Sequence, residues 1–188
     1  MNKLLSSFLL VLLMGIPVLM VVGASYFNPS HSYDVVNDQF LSESENDIEI
    51  LFFGFVGCAS VCPSSLSMLA TLLESQNKFK SSARVGATFV DINLSGAVDE
   101  TQVENYSRLF SNKIRGINPD EKDLEKMKRE FSLRITSNRR SEEMITHTDH
   151  YFVLARSSDG WKVVRVLENS SSADTVRKAI NEAASLII

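Results

Sequence analysis

The stretch Ile48-Glu49-Ile50-Leu51-Phe52-Phe53-Gly54-Phe55-Val56-Gly57-Cys58-Ala59-Ser60-Val61-Cys62-Pro63 decides how this chain is read. An apolar run of strand length loosens at Gly54 and Gly57. It then passes into a segment whose Leu66, Leu69, Leu72 and Leu73 recur at helical spacing, with Pro63 suited to the first turn. The sequence therefore predicts a buried strand over 48–56, a turn, and a helix over 64–79. Cys58 and Cys62, the two cysteines of the chain, fall where strand gives way to helix. Unpaired N–H groups and the positive end of the helix dipole collect there. Both favour thiolate, the form that attacks disulfides and binds soft metals.

The N-terminus bears on the compartment. Leu4 to Ala24 is almost wholly apolar, with Lys3 before it and no further charge until Asp34. A span of ~20 residues can cross a bilayer, whereas the apolar core of a cleaved signal is about 7–15 residues long. Residues 1–27 are expected to be an uncleaved transmembrane anchor with its amino end in the cytoplasm and the body exported to a periplasm or intermembrane space. The alternative is a signal peptide removed near Val22-Gly23-Ala24, which leaves a soluble secreted protein. Residues 28–47, rich in serine and acids and containing Pro29, read as a solvated tether. Residues 48–188 make one domain of ordinary size. The net charge of −4 offers no basic surface, which excludes nucleic-acid binding.

Through this domain the hydrophobic period alternates. Arg84 to Asn93 reads as a strand, and Glu100 to Phe110 as a helix with Val103, Tyr106, Leu109 and Phe110 on one face. Asn118-Pro119-Asp120-Glu121 gives an N-cap, a first-turn proline and acids for a helix through Phe131. A strand over 147–156, a turn at Ser157 to Gly160, a strand over 161–167 and a closing helix from Ser172 or Asp174 complete the pattern. Strands alternating with helices and then an antiparallel hairpin imply an α/β fold with a mixed central sheet flanked by helices.

This order is also that of a thioredoxin-like domain, with two departures. The cysteines are spaced C-x3-C, and no proline follows Pro119, so Thr146-His147-Thr148 stands where dithiol oxidoreductases of that fold place a proline. The chain resembles the SCO/SenC family, membrane-anchored thioredoxin-like copper proteins of cytochrome c oxidase assembly. Gly54-Phe55-Val56-Gly57-Cys58-Ala59-Ser60-Val61-Cys62-Pro63 is similar to its G-[YF]-x-x-C-x-x-x-C-P motif. His147-Thr148, with the strand to Leu154 and Asp159-Gly160, resembles its histidine segment. Phe89-Val90-Asp91 and Gly116-Ile117-Asn118-Pro119 resemble two further stretches, although Ile92 stands where the family has proline. The resemblance implies that Cys58, Cys62 and His147 are copper ligands. It further implies that the protein delivers copper, or reduces copper-site cysteines, for a respiratory oxidase subunit or another copper carrier, and is not a turnover enzyme.

The chemistry of the residues is compatible with this and leaves alternatives open. Two thiolates four residues apart at a helix start can turn to one point, and an imidazole makes an S2N set that suits Cu(I) and can hold Cu(II). The same sulfurs can oxidise to a disulfide and release the metal. Zinc calls for a fourth ligand. In a metal-independent thiol–disulfide oxidoreductase, or a redox-sensing thiol protein, Cys58 and Cys62 would be the catalytic pair. A structural disulfide would close too short a loop to stabilise much. On a strand beginning at His147, His147 and His150 point to opposite faces, so one of them meets the cysteines. His147 is preferred, at the strand's mouth, with Asp149 a candidate partner for its ring. His31 reads as solvated, Met68 and Met127 as ordinary helix residues, and Arg134, Arg139 and Arg140 as part of a solvated loop.

Overall fold

Ile48–Gly54 forms the central strand, and every residue of it is buried. The computed structural model describes residues 36, 38–59, 61–75, 79, 81–93, 98–137 and 145–187, which lie within one compact unit, Tyr33–Ile188. The described elements run in the order α1 (Gln39–Ser42), β1 (Ile48–Gly54), α2 (Val61–Glu74), β2 (Val85–Asp91), α3 (Glu100–Arg108), β3 (Ile114–Ile117) and α4 (Glu121–Glu130). They continue with β4 (Ile135–Ser137), β5 (Ile145–His147), β6 (His150–Ser157), β7 (Gly160–Glu168) and α5 (Ala173–Ala184). The main sheet has the order β3-β2-β1-β6-β7, and β4 and β5 form a separate antiparallel ribbon. β1 runs parallel to β2, from Ile48 opposite Val85 to Gly54 opposite Asp91, and antiparallel to β6.

The mixed sheet expected from the alternating pattern is present, and side-chain alternation explains its two cores. Ile48, Ile50 and Phe52 point to one face, where Leu66, Leu69 and Leu73 of α2, Val103 of α3 and Val176 and Ile180 of α5 cover them. Leu51 and Phe53 point to the other, against Leu124 and Met127 of α4, Phe131, Leu41 and Trp161. Coverage on both faces is why β1 reads as a continuous apolar run.

Several expectations are corrected. β1 ends at Gly54 rather than at position 56, and α2 begins at Val61, so Cys62 and Pro63 are its second and third residues. The N-cap of α4 is Asp120, whose side chain accepts from the Asp123 N–H at 2.8 Å, while Asn118 Nδ2 donates to the Val98 carbonyl at 3.0 Å. The short elements α1, β3, β4 and β5 were not anticipated, because three or four residues carry too little period to announce themselves.

The segment expected to be a solvated tether folds onto the body over its described part. Val36, Asp38 and Leu41 are buried. Val36 pairs with Trp161 in an antiparallel bridge, and Trp161 Nε1 donates to the Leu41 carbonyl at 2.9 Å. Arg115 donates to the Phe40 carbonyl, and Asp38 is paired with Lys126. Two apolar residues among serines and acids suffice when a hydrophobic sheet face needs covering. The expected anchor, residues 1–27, and His31 lie outside the described residues. Among the described residues, no helix is long and apolar enough to cross a membrane.

Candidate metal and thiol site

The site forms where β1 hands over to α2. Gly54 cannot be replaced by a larger residue without disturbance, because a Cβ there would come 2.7 Å from Cys62 Sγ and 2.8 Å from Phe89 Cε2. Gly57 adopts φ +99°, a left-handed turn that favours glycine. The Cys58 N–H donates to the Phe55 carbonyl at 3.2 Å, closing this turn.

The two sulfurs meet unlike surroundings. The backbone N–H of Cys62, at the start of α2, donates to Cys58 Sγ at 3.5 Å. Cys58 is partly exposed, Cys62 is fully buried, and no disulfide joins them. From their place at a helix start, thiolate stabilisation is expected at both. For Cys62 the outcome is the reverse, since burial pushes its thiol up to about 12, with Cys58 and Asp91 adding to the effect and the Phe55 amide opposing it. Desolvation wins because the sulfur lies inside the core rather than at the helix mouth.

Asp91, at the end of β2 opposite Gly54, is buried, and its carboxyl is raised to about 6. Burial is the cause, partly offset by backbone amides of which Asn93 is the foremost. Its Oδ1 accepts from the Asn93 N–H at 3.1 Å, and its Oδ2 has no hydrogen-bond partner. On the opposite flank, Asn169 Oδ1 accepts from Ser65 of α2 at 2.5 Å and from the Tyr151 hydroxyl at 2.8 Å, tying α2 to the end of β7. The Tyr151 phenol is raised by burial first, with Asp149 and Cys62 contributing.

His147 ends the ribbon strand β5, not the strand that carries His150. The Thr148 N–H donates to the Arg134 carbonyl at 3.0 Å, and Thr148 Oγ1 accepts from the Arg134 N–H at 3.0 Å. These bonds break the chain's course between β5 and β6, so the alternation argument separating His147 from His150 does not apply. The His147 ring stands edge-on to Phe55, with centroids 6.2 Å apart, which places it beside the cysteine turn. Its Nδ1 lies 3.0 Å from the Thr148 carbonyl, not against the Asp149 side chain proposed from sequence. A carbonyl only accepts, so Nδ1 carries the proton and Nε2 keeps the lone pair in the neutral ring. His150 is half-buried with its Nδ1 unpartnered.

Among the described residues, no three His, Cys, Asp or Glu side chains stand close enough together to hold an ion. Cys58 and Cys62 meet within one turn, and His147 adjoins that turn through Phe55. Met127 lies in the core on the Leu51 and Phe53 face and Met68 packs against the core on the opposite face, as their helical spacing suggested; Arg139 and Arg140 lie outside the described residues. Tyr106, on the apolar face of α3, carries a buried hydroxyl with no hydrogen-bond partner. A hydroxyl on an otherwise apolar stripe was the available signal.

The sequence model described as SCO1/SenC matches residues 32–185. The copper-bound crystal structure of Arabidopsis thaliana ScoI superposes with a TM-score of 0.63 at 19% identity, over 74% of this chain and 85% of that one. Copper-bound yeast Sco1 gives 0.61 at 15% identity, over 76% and 78%. BsSco, a member of the Sco family of cytochrome c oxidase assembly proteins in which a disulfide switch was identified, gives 0.54 at 13%, over 74% and 81%. These likenesses establish a thioredoxin-like mixed sheet with flanking helices. A search of curated proteins finds no match.

Proposed function

Because the chain belongs to the SCO1/SenC family, we propose that Cys58, Cys62 and His147 bind copper and that the protein serves the copper site of a respiratory oxidase during assembly. The observation that carries this reading is the convergence of the C-x3-C turn and an imidazole with a lone pair on Nε2, held beside that turn at Phe55. Nδ1–H against a backbone carbonyl is the support that metal-ligating histidines commonly have. Two thiolates and one imidazole suit Cu(I) and accept Cu(II). Completing such a site requires the imidazole to turn past Phe55 toward the sulfurs. The copper proteins of Arabidopsis and yeast share this fold, which supports the same cargo here. With Leu4 to Ala24 as an anchor, the domain would work on the exported face of a membrane.

A second reading, dithiol exchange, is favoured by the asymmetry of the pair. Cys58 receives the helix-end amide and is accessible, while Cys62 is buried, the arrangement of an attacking and a resolving thiol. The test is to reduce the full chain in detergent, add Cu(I) and determine stoichiometry and affinity beside His147→Ala, His150→Ala and Cys58→Ser. One copper per chain, weakened at least tenfold by His147→Ala and by Cys58→Ser but not by His150→Ala, supports the copper site. Absence of binding, or affinity indifferent to His147, leaves dithiol exchange.

A further inference from the structure

Two buried carboxyl oxygens, Oδ2 of Asp38 and Oε2 of Glu130, have no hydrogen-bond donor among the described residues. Asp38 is the N-cap residue of α1, yet its side chain makes no bond to that helix. It turns instead to Lys126 of α4, whose ammonium also lies 3.6 Å from Oε1 of Glu130 at the end of the same helix. One ammonium therefore meets both carboxyl groups, and each keeps one oxygen over. A carboxylate oxygen only accepts, and two such oxygens repel each other. A proton between them turns both into a single hydrogen bond. The Glu130 carboxyl is raised to about 7, by burial first and then by its hydrogen bond with Asp38.

The charges packed around this pair come from four elements. Arg115 of β3, Glu43 at the end of α1 and Asp123 of α4 line one cleft with Asp38 and Lys126, and Arg156 of β6 lines a second with Asp38. Arg115 is engaged with the Phe40 carbonyl and lies 4.0 Å from Glu43, while Arg156 stands over the Trp161 ring, 4.7 Å from its centroid. We propose that Asp38 and Glu130 share one proton, carried on Glu130, and that this proton latches the N-terminal strap, Val36 and residues 38–42, onto α4 until rising pH removes it. The proton passes to water, two negative charges then face one ammonium, and opening of the strap relieves them by hydration. In the closed strap Glu130 ionises near 7 and in the open one near 4.5, so acid favours closure and rising pH favours opening. The latch is independent of the copper reading. With Leu4 to Ala24 as an anchor, an open strap would lengthen the leash of the domain by about 20 Å.

Hydrogen–deuterium exchange on the full chain in detergent, without added metal, tests the latch at pH 5.5 and pH 8.5. The Val36 N–H donates to the Trp161 carbonyl at 2.7 Å and the Trp161 N–H to the Val36 carbonyl at 3.2 Å, so these two amides report the strap. Their protection, corrected for intrinsic exchange, should fall roughly tenfold at the higher pH, while β1 amides stay more protected. Glu130→Gln keeps a donor toward Asp38 and cannot ionise, so its protection should be equal at both pH values. Asp38→Asn, which removes the facing charge, should also flatten the response and decides the matter if Glu130→Gln does not fold. Protection that is the same at both pH values in the parent chain, or a fall that persists in these variants, overturns the proposal. A fall shared equally by β1 marks global unfolding and overturns it too.

Discussion

Gly54 and Cys62 are in such close approach that the sulfur occupies the space a side chain at position 54 would need, 2.7 Å from its Cβ position. The last residue of β1 therefore sets where the buried sulfur of α2 can lie. Gly54→Ala should destabilise the fold by about 1–3 kcal/mol, since the sulfur and the Phe89 ring that it would displace are both fully buried. It should also weaken Cu(I) binding at least tenfold. Denaturant unfolding and copper titration check the two effects, and an unchanged midpoint with unchanged affinity would show that the contact yields.

The unlike burial of the two cysteines predicts unequal reactivity. With its thiol raised from 9.0 to about 12, Cys62 holds roughly a thousandth of the thiolate of an ordinary cysteine. Brief alkylation of the reduced chain at neutral pH, followed by peptide mass spectrometry, should label Cys58 and spare Cys62. Equal labelling would mean that the sulfur is not held in the core.

Leu41 tests whether the N-terminal strap belongs to the body. It is fully buried, and its carbonyl holds the Trp161 indole. Leu41→Ala should cost about 2–5 kcal/mol, the range for emptying a core leucine site, where a solvated tether would lose under about 0.5 kcal/mol. Chemical denaturation distinguishes the two by a wide margin.

Glu130 predicts a pH dependence of stability. Burial, and then the neighbouring Asp38 carboxylate, raises its carboxyl to about 7, while Lys126 opposes the shift. The folded chain keeps a proton that the unfolded chain releases near 4.5. The associated stabilisation is thus complete below about pH 4.5 and is lost as pH rises through about 7. Solvent screening at this partly exposed carboxyl reduces the full ~3 kcal/mol, so the loss should amount to roughly 2 kcal/mol and be absent in Glu130→Gln, as read from denaturant midpoints across that range.

The alternation of strand and helix periods, the C-x3-C turn at a strand-to-helix junction and the absence of a later proline were legible in the order of residues. Each is a local property: a period of 2 or 3.6, a residue that fixes φ, or a spacing along one turn. Those local rules predicted the mixed sheet and marked Cys58 and Cys62, while His147 was singled out by the family resemblance. Tertiary structure alone decided the rest. It buried Cys62, turning an expected thiolate into a thiol raised to about 12, because desolvation depends on what packs above a residue rather than on its neighbours in the chain. It folded Val36 and Leu41 onto the sheet, placed His147 on a ribbon apart from His150, and packed Tyr106 against the core cluster that contains Cys62. Periodicity records which face of an element is apolar. Which element covers that face, and which polar atoms are sealed beneath it, is settled only when distant segments compete for the same surface.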